Sequence, residues 1–339
     1  MMRPGHAHAG MPQHGLGKDP SLDRIFDFAH PFPIAQPVRK FGEDRVYNSS
    51  WQHLDRWLHA ALNFQVNGTA AQRRHSRYLV NLGAHYQAGI DDIVSYSMQS
   101  NDIEGFAVDD DQTMAWAGSR IRKHTGYVTP TNIAELFRVA HVPPAPLLLK
   151  VDIDSYDVDV AMAALELISP VFIFVEINEK VPPPMCFCNR FTIGKAWKRV
   201  SSHGYGCSLT GFVNAFRQKE YQLVSVILND ALFVRSDQAQ AVAAQLPHGR
   251  LPKPHNAYAS GFVHMPHRAQ LFPWNEPVKN WFDETIPLAT RSKSVHEYFK
   301  ASEAGGYIYP FVGRAKHGTW PCASAATEAE IEASSEVVA

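Results

Sequence analysis

The middle of the chain alternates between short apolar runs and amphipathic stretches, a pattern typical of buried strands separated by helices. Near-continuous apolar character indicates parallel strands that are covered on both faces. Four such runs occupy residues 78–83, 105–108, 147–152 and 171–177. A compact helical segment, residues 158–168, separates the last two runs and stops before Pro170. Right-handed connections between these strands predict a doubly wound, mostly parallel sheet.

The sheet is expected to finish with an antiparallel pair. Residues 221–228 and 231–234 have strand character, and Asn229 and Asp230 between them form a short polar turn, which predicts a hairpin. Residues 208–219 before the hairpin are predicted to be helical. The fold class is therefore α/β, with a mostly parallel sheet, an antiparallel terminal hairpin and helical or loop-rich flanks.

These patterns divide the chain into five parts. Residues 1–20 are rich in His, Gly and Pro and are expected to form a disordered lead. Residues 21–77 form a helical preface, with apolar residues at helical spacing over 51–62. Residues 78–240 form a Rossmann-like domain. Residues 241–321 form a loop-rich or helical appendage packed on the core, and residues 322–339 a disordered tail.

The amino-acid composition limits which binding partners and which cellular compartment are expected. The 339 residues include 32 Lys plus Arg against 33 Asp plus Glu, so no global field attracts nucleic acid. No stretch reaches the roughly 18–20 apolar residues that span a bilayer. Four cysteines are too few to suggest a disulfide scaffold, and they fit a reducing, cytoplasmic compartment. We make no prediction of oligomeric state.

The cysteines give a weak metal signal. Cys186 and Cys188 form a CxC pair without a second pair, and Cys207 and Cys322 stand alone. Zinc binding by this pair is less expected than two ordinary small apolar residues. Three histidines of the lead could hold a metal adventitiously, although a solvated tail is the simpler interpretation: His6, His8 and His14.

Polar side chains follow the third and fourth apolar runs, where strands end. Ligands of open α/β sheets bind at these carboxyl ends, so Asp152, Asp154, Glu176 and Asn178 are expected to meet in one crevice. Clustered carboxylates require a cation, a ligand amine or ribose, or a shared proton. Oxygen ligands suit Mg²⁺, which makes Asp154, Glu176 and Asn178 candidate metal ligands. Alternatively, Asp154 or Ser155 caps the helix that begins near Tyr156.

A second candidate site lies after the first strand. Gly83 would let a ligand approach the backbone closely, although the complete G-x-G-x-x-G fingerprint is absent from the sequence. Asp109 ends the next strand, where an acid can accept hydrogen bonds from a ribose diol. A solvated acidic turn over residues 109–111 is the alternative.

Two further features follow Asn178. Pro182, Pro183 and Pro184 stiffen the chain and form either one wall of a substrate pocket or a plain connector. His203 is the candidate general base of this region. A surface histidine without a role is the competing interpretation.

The order of these motifs resembles the FkbM-like S-adenosylmethionine-dependent methyltransferases over residues 78–235. The resemblance rests on the Asn-Leu-Gly-Ala turn, the acid that ends the second strand, Thr-Pro-Thr-Asn-Ile at 129–133, Leu-Lys-Val-Asp-Ile-Asp-Ser-Tyr-Asp at 149–157 and the closing Asn-Asp-Ala-Leu-Phe-Val-Arg. It implies a seven-stranded Rossmann-like methyltransferase fold. Asn81 departs from the usual first acid, and Asp154 and Ser155 replace the usual Glu-Gly.

The resemblance also implies site roles. Asn81, Gly83 and Ala84 would line the methionine part of the cofactor, Asp109 the ribose, and Asp152 the region of the transferable methyl group. The predicted cofactor-binding set is completed by Leu82, His85, Asp110 and Asn132.

The sequence thus predicts an S-adenosylmethionine-dependent methyltransferase with Asp152 and His203 as catalytic residues. Its acceptor would be a small-molecule or glycan hydroxyl, with Mg²⁺ as a possible second cofactor. One rival is a metal-dependent glycosyltransferase that uses Asp152, Ile153 and Asp154 as an Asp-x-Asp motif. The other is a non-catalytic binding protein on the same fold.

Overall fold

The computed structural model describes residues 76–84, 103–110, 120–191, 203–246, 248–265, 268–303 and 322. The predicted helix over 51–62, the lead and the tail beyond Cys322 lie outside these ranges. Seven strands form one sheet: β1 (Ser76–Leu82), β2 (Glu104–Asp109), β3 (Arg120–Thr125), β4 (Pro146–Val151), β5 (Phe172–Glu176), β6 (Tyr221–Ile227) and β7 (Asp230–Arg235). Their order is β3-β2-β1-β4-β5-β7-β6.

Strands β1 to β5 run parallel, and β7 lies antiparallel to both β5 and β6. The predicted α/β sheet with an antiparallel terminal hairpin is therefore confirmed. Its helices are α1 (Ile133–Ala140), α2 (Asp157–Leu165), α3 (Leu209–Arg217), α4 (Ala239–Ala243), α5 (Pro254–Tyr258), α6 (Arg268–Leu271) and α7 (Leu288–Glu303). A π-helical turn, Ala259–Val263, and a 3₁₀ segment, Pro273–Trp281, lie within the appendage. No described helix combines the length and the apolar character that crossing a membrane requires.

The sheet interior explains why its strands were predictable. Every residue of β4 is buried, as expected for a central strand of a parallel sheet. The polar Lys150 is included in this buried run and forms an ion pair at the end of the strand. Continuous burial leaves the near-continuous apolar pattern in the sequence.

Two details differ from the sequence interpretation. Strand β3 was not predicted, because Arg-Ile-Arg-Lys-His-Thr is an exposed edge strand that needs no apolar face. The hairpin turn is shifted by one residue: Leu228 and Asn229 form it, and Asp230 already belongs to β7. Leu228 has a positive φ of 58°, which a two-residue turn demands but an apolar residue does not signal.

The cysteines also differ from expectation. Cys186 pairs with Cys322 and Cys188 with Cys207. The two disulfides contradict the expectation that a disulfide scaffold is unlikely. Sequence separations of 136 and 19 residues concealed these contacts.

Gly83 turns the chain directly against the end of β4. Its φ is +83°, and a Cβ atom at this position would lie 1.6 Å from the carbonyl oxygen of Asp152. The same turn is held by the Gly83 and Ala84 amides, which both donate to the Val108 carbonyl. The predicted close approach at Gly83 is thus made by the protein's own backbone. A ligand is not required to explain this glycine.

We expect Gly83→Ala to lower the free energy of unfolding by more than about 3 kcal/mol, because a side chain here meets both a positive φ and backbone overlap. Urea denaturation measures the change. Gly249→Ala is the matched control: Gly249 has a φ of 61° with nothing within 4 Å of an added Cβ, so its loss is expected to be about 1 kcal/mol. Equal losses for both variants would contradict the backbone-contact explanation.

Candidate functional site

The strand register aligns four carboxyl ends at one edge of the sheet. Leu82 is level with Val108 and with Val151, and Val151 is level with Val175. The next residues of the four strands therefore form one row in the order β2-β1-β4-β5: Asp109, Gly83, Asp152 and Glu176. Neighbouring strands lie about 4.8 Å apart, so this row is roughly 15 Å long.

Strand β7 adds a fourth acid to the row. Asp230 is the register partner of Glu176 across the antiparallel β5–β7 pair. The edge carries three half-buried carboxylates between β2 and β5 and a fourth on β7. A row of like charges raises the energy of the empty site and favours a ligand with positive charge or hydroxyl donors.

The end of β4 is organised around charged groups. Lys150 Nζ lies 2.9 Å from Asp152 Oδ2, and the Lys150 side chain is 6% exposed. The Asp152 amide donates to the Leu82 carbonyl, which fixes the carboxylate beside the β1 turn. The ion pair offsets part of the negative charge of the row.

Asp157 organises the turn that follows. Its carboxylate accepts hydrogen bonds from the amides of Ile153 (2.8 Å) and Ser155 (3.0 Å). Burial raises the pKa of the Asp157 carboxyl to about 7, against the lowering effect of these amides. Helix α2 begins after Tyr156, which makes no side-chain cap. The interpretation of Asp154 or Ser155 as the cap is therefore wrong, and Asp154 instead takes a positive φ of 58° in the turn.

Glu176 has one satisfied and one unsatisfied oxygen. Asn229 Nδ2 donates to Oε1 at 2.8 Å, whereas the buried Oε2 has no hydrogen-bond partner among the described residues. Burial raises the pKa of Glu176 well above its usual range. Neighbouring carboxylates raise this pKa further: Asp152, Asp154, Asp157 and Asp230. Glu176 is therefore a perturbed acid, suited to exchange a proton or to meet a cationic ligand.

The Asn178 amide contacts the protein backbone. Its Nδ2 donates to the carbonyls of His203 (2.8 Å) and Tyr205 (3.1 Å), and its Oδ1 accepts from the Lys180 amide at 3.3 Å. These bonds hold the loop after β5 in place and occupy the oxygen proposed as a metal ligand. The side chain is fully buried.

The remaining cofactor candidates fall into separate groups. Leu82 and Ala84 are fully buried, so only their backbone could touch a ligand. Asn81 is buried within β1, level with Ala107 and Lys150. Asp110 is exposed and follows Asp109, the last residue of β2. His85 lies outside the described residues.

Asn132 lies in a turn before α1. Its Oδ1 accepts from the Thr129 amide and its Nδ2 donates to the Tyr127 carbonyl, each at 2.8 Å. Tyr156 Oη donates to the Val128 carbonyl, which ties this turn to the β4 tip. The Thr-Pro-Thr-Asn motif therefore holds a loop beside the acidic row, and a ligand contact of Asn132 stays a prediction.

His203 packs into an aromatic environment. Its ring centroid lies 5.6 Å from that of Tyr298 and 6.1 Å from that of Trp281, and the residue is 6% exposed. Burial, and secondarily the charge of Lys180, lower the pKa of His203, while Glu179 opposes them. The ring is thus neutral at pH 7 but enclosed by the appendage. Its role as a general base stays a prediction.

A buried polar network was missed by sequence reasoning. Glu179 and Lys180 are completely buried, with Lys180 Nζ 3.0 Å from the Glu179 carboxylate and 2.8 Å from Tyr205 Oη. Tyr205 Oη donates to Glu179, and Asn275 Nδ2 donates to the same carboxylate at 2.9 Å. Because Asn275 belongs to the appendage, the network joins the appendage to the loop after β5. Consecutive charges after a strand resemble an ordinary solvated turn, so the sequence carries no signal for it.

The strand order and the single antiparallel strand β7 between β5 and β6 define a Rossmann-like sheet of the methyltransferase type. No protein-family model matches the chain. No curated protein matches it in sequence.

Several solved structures show a distant likeness. An O-methyltransferase family protein from Burkholderia thailandensis is 12% identical with a TM-score of 0.33, over 64% of this chain and 68% of that one. Methyltransferase CalO6 is 14% identical with a TM-score of 0.28, over 55% and 64%. Plantazolicin methyltransferase BamL, in complex with a triazolic desmethylPZN analog and SAH, is 9% identical with a TM-score of 0.24, over 40% and 52%.

These matches span roughly half to two thirds of the other chains. Identities and scores this low carry no argument about function. The fold assignment rests on the strand order of this chain itself.

We expect Lys180→Met to lower the free energy of unfolding by about 3–5 kcal/mol, because it leaves the buried Glu179 carboxylate without its cation. The double variant Glu179→Gln with Lys180→Met removes both charges and is expected to recover part of the loss. Chemical denaturation measures both. Lys279→Met, which breaks an exposed pair with Glu276, is the control and should leave stability unchanged. A double variant no more stable than Lys180→Met would contradict the charge explanation.

The Glu176 carboxyl makes stability depend on pH. A raised folded-state pKa means that stability is fully present below the unfolded-state value and is lost as pH rises through the folded-state value. We therefore expect Glu176→Gln, which keeps an acceptor for Asn229, to stabilise the protein at pH 8 on the order of 1 kcal/mol. The gain should shrink toward pH 4.

Thermal unfolding across this pH range measures the effect. Glu166→Gln is the control, because Glu166 is an exposed carboxylate paired with Lys219. A Glu176→Gln variant that is no more stable than wild type at pH 8 would show that the buried charge carries no cost.

Proposed function

We propose that the protein is an S-adenosylmethionine-dependent methyltransferase that acts on a hydroxyl of a small molecule or glycan. One observation carries the proposal: a row of carboxylates at the carboxyl edge of a β3-β2-β1-β4-β5-β7-β6 sheet. Asp109 and Asp152 lie on either side of β1, the strand at which the chain order reverses. Crevices at such reversal points are where doubly wound sheets bind nucleotide-like ligands.

The charge of the row fits this cofactor. S-adenosylmethionine carries a ribose diol, an ammonium group and a sulfonium group. Asp109 provides an acceptor for the diol, and the negative edge formed by Asp152 and Glu176 complements the two positive charges. The unsatisfied Oε2 of Glu176 is the buried polar atom that a bound ligand would satisfy.

Each residue has a proposed task. When bound, the cofactor supplies a methyl group on a positively charged sulfur. Lys150 holds the Asp152 carboxylate in one orientation. Glu176, whose raised pKa makes its ionised carboxylate a stronger base, accepts the proton of the acceptor hydroxyl at its Oε2. Alignment of the acceptor by the loop after β5 supplies the remaining contribution.

The metal-dependent glycosyltransferase is a weaker candidate. Its Asp-x-Asp motif needs two carboxylates free to share a cation, but Asp152 is already paired with Lys150 at 2.9 Å. Asn178, one of three predicted metal ligands, has its oxygen bonded to a backbone amide. The thermal-shift panel described below, run with and without Mg²⁺, tests whether Asp154 and Glu176 bind this ion.

We expect isothermal titration calorimetry to detect S-adenosylmethionine or S-adenosylhomocysteine binding to the wild type. Asp109→Asn and Asp152→Asn should each weaken it by about ten- to a hundredfold, the range for losing hydrogen bonds to a charged group. Glu297→Gln, an exposed acid on α7, is the matched control and should bind as wild type. If the wild type does not bind either compound at millimolar concentration, the proposal is wrong.

A thermal-shift panel separates the rivals. Stabilisation by the adenosyl compounds alone supports methyl transfer, whereas stabilisation by a uridine- or guanosine-diphosphate sugar that requires Mg²⁺ or Mn²⁺ supports the glycosyltransferase. Binding of the adenosyl compounds without methyl transfer to any acceptor hydroxyl would favour the non-catalytic alternative. Glu176→Gln should weaken binding of the adenosyl compounds, because it removes one negative charge from the row, and in the catalytic case it should also abolish methyl transfer.

A further inference from the structure

All four cysteines of the chain meet at one buried place beyond the end of β5. Cys186, Cys188 and Cys207 have no exposed surface, and Cys322 is 1% exposed. The sulfur atoms of Cys186, Cys188 and Cys322 lie within 4.8 Å of one another, and Cys188 is paired with Cys207. The four sulfurs therefore form one group, which we call the four-sulfur cluster.

The backbone holds three of the four residues in position without any metal. Cys207 bridges to Ile177 on one side and to Cys188 on the other, and its carbonyl accepts from the Asn178 amide at 2.8 Å. Cys186 and Cys188 are two residues apart, and their sulfurs lie within 4.8 Å of each other. The fourth residue, Cys322, reaches the cluster from the far end of the chain.

The N-terminus of α3 lies directly against two of the sulfurs. A Cβ atom on Gly211, in the first turn of α3, would be 2.2 Å from Cys207 Sγ and 2.5 Å from Cys188 Sγ. Helix N-termini carry partial positive charge and stabilise thiolates. This end of α3 therefore places partial positive charge beside two of the four sulfurs.

The spacing of the sulfurs suits zinc. With Zn–S bonds of about 2.3 Å, tetrahedral ligands lie about 3.8 Å from one another, and three of the four sulfurs already lie within 4.8 Å of one another. By contrast, the α-carbons of Cys188 and Cys207 are 4.0 Å apart, closer than the roughly 4.4–6.8 Å usual for a disulfide. Two separate disulfides could form at different places in the fold, whereas the four ligands of one metal ion must lie together.

We propose that the four cysteines, when reduced, bind one zinc ion as a closed structural site. Starting from the paired sulfurs, each disulfide takes two electrons and two protons from a dithiol, which becomes oxidised. The four resulting thiols release four protons as their sulfurs bind Zn²⁺. The ion then joins Cys322, Cys186, Cys188 and Cys207, and so fastens position 322 to the loop between β5 and α3. This inference is independent of the proposed methyl transfer.

The first test measures metal content in the full-length protein. The chain is purified with a phosphine reductant, supplied with Zn²⁺ and dialysed against metal-free buffer. Mass spectrometry of the metal should find about one zinc per chain. Substitution by Co²⁺ should give the intense visible and near-ultraviolet bands of tetrahedral cobalt bound to thiolates. The thiols should resist alkylation in the loaded protein and all four should react after chelation in denaturant.

Variants separate a zinc site from two disulfides. Cys322→Ser and Cys207→Ser should each weaken zinc binding by more than about a hundredfold, the upper end of what even outer-shell partners cost. With two independent disulfides, Cys322→Ser leaves the Cys188–Cys207 bond intact, and zinc changes nothing. The control is a triple variant, His6→Ala with His8→Ala and His14→Ala, which should retain zinc because it keeps the four-sulfur cluster.

Three results would overturn the proposal. Reduced wild type could fail to retain zinc, Cys322→Ser could retain it as wild type does, or the triple histidine variant could lose it. The cobalt spectrum keeps the test decisive even where a cysteine variant folds poorly, because it reports sulfur ligation in the wild type directly.

Discussion

The contact between the Gly83 turn and the Asp152 carbonyl fixes the geometry on which the rest of the site depends. Strand β1 enters its turn so close to the end of β4 that no side chain fits between them. This crossing aligns the tips of β2, β4 and β5 and brings their acids into one row. Backbone packing therefore sets the position of the site, and the residue that follows each strand sets its charge.

Charge compensation then organises the second layer of the structure. Lys150 neutralises Asp152 from within the sheet, and Lys180 neutralises Glu179 beneath the appendage. Glu176 receives an amide from Asn229 and has no cation partner among the described residues, and burial with the neighbouring carboxylates raises its pKa. The row therefore combines a compensated carboxylate, Asp152, with an uncompensated one, and perturbed acids of this kind are common at functional sites.

The sequence was informative where burial leaves a periodic trace. The runs at β1, β2, β4 and β5 were recognisable because buried strands cannot carry polar residues without a partner, and the acids after them marked the crevice. Strand β3 was not recognisable, since an exposed edge needs no apolar pattern. Contacts between distant residues, such as Cys186 with Cys322 or Asn275 with Glu179, have no local signature. Asp157 was missed because an acid inside a helix start resembles a solvated one.

The two edges of the sheet are protected against strand addition in different ways. Strand β3 presents Arg120, Arg122 and Lys123 along its length, and another β-strand approaching this edge would have to bury their charges. At the opposite edge, the Leu228 amide at the end of β6 donates to the Gly261 carbonyl of the π-helical turn, and Gly261 itself rests against Val226. Charged side chains protect the β3 edge, and the π-helical turn covers the end of the β6 edge. Both devices disfavour the edge-to-edge pairing through which sheets aggregate.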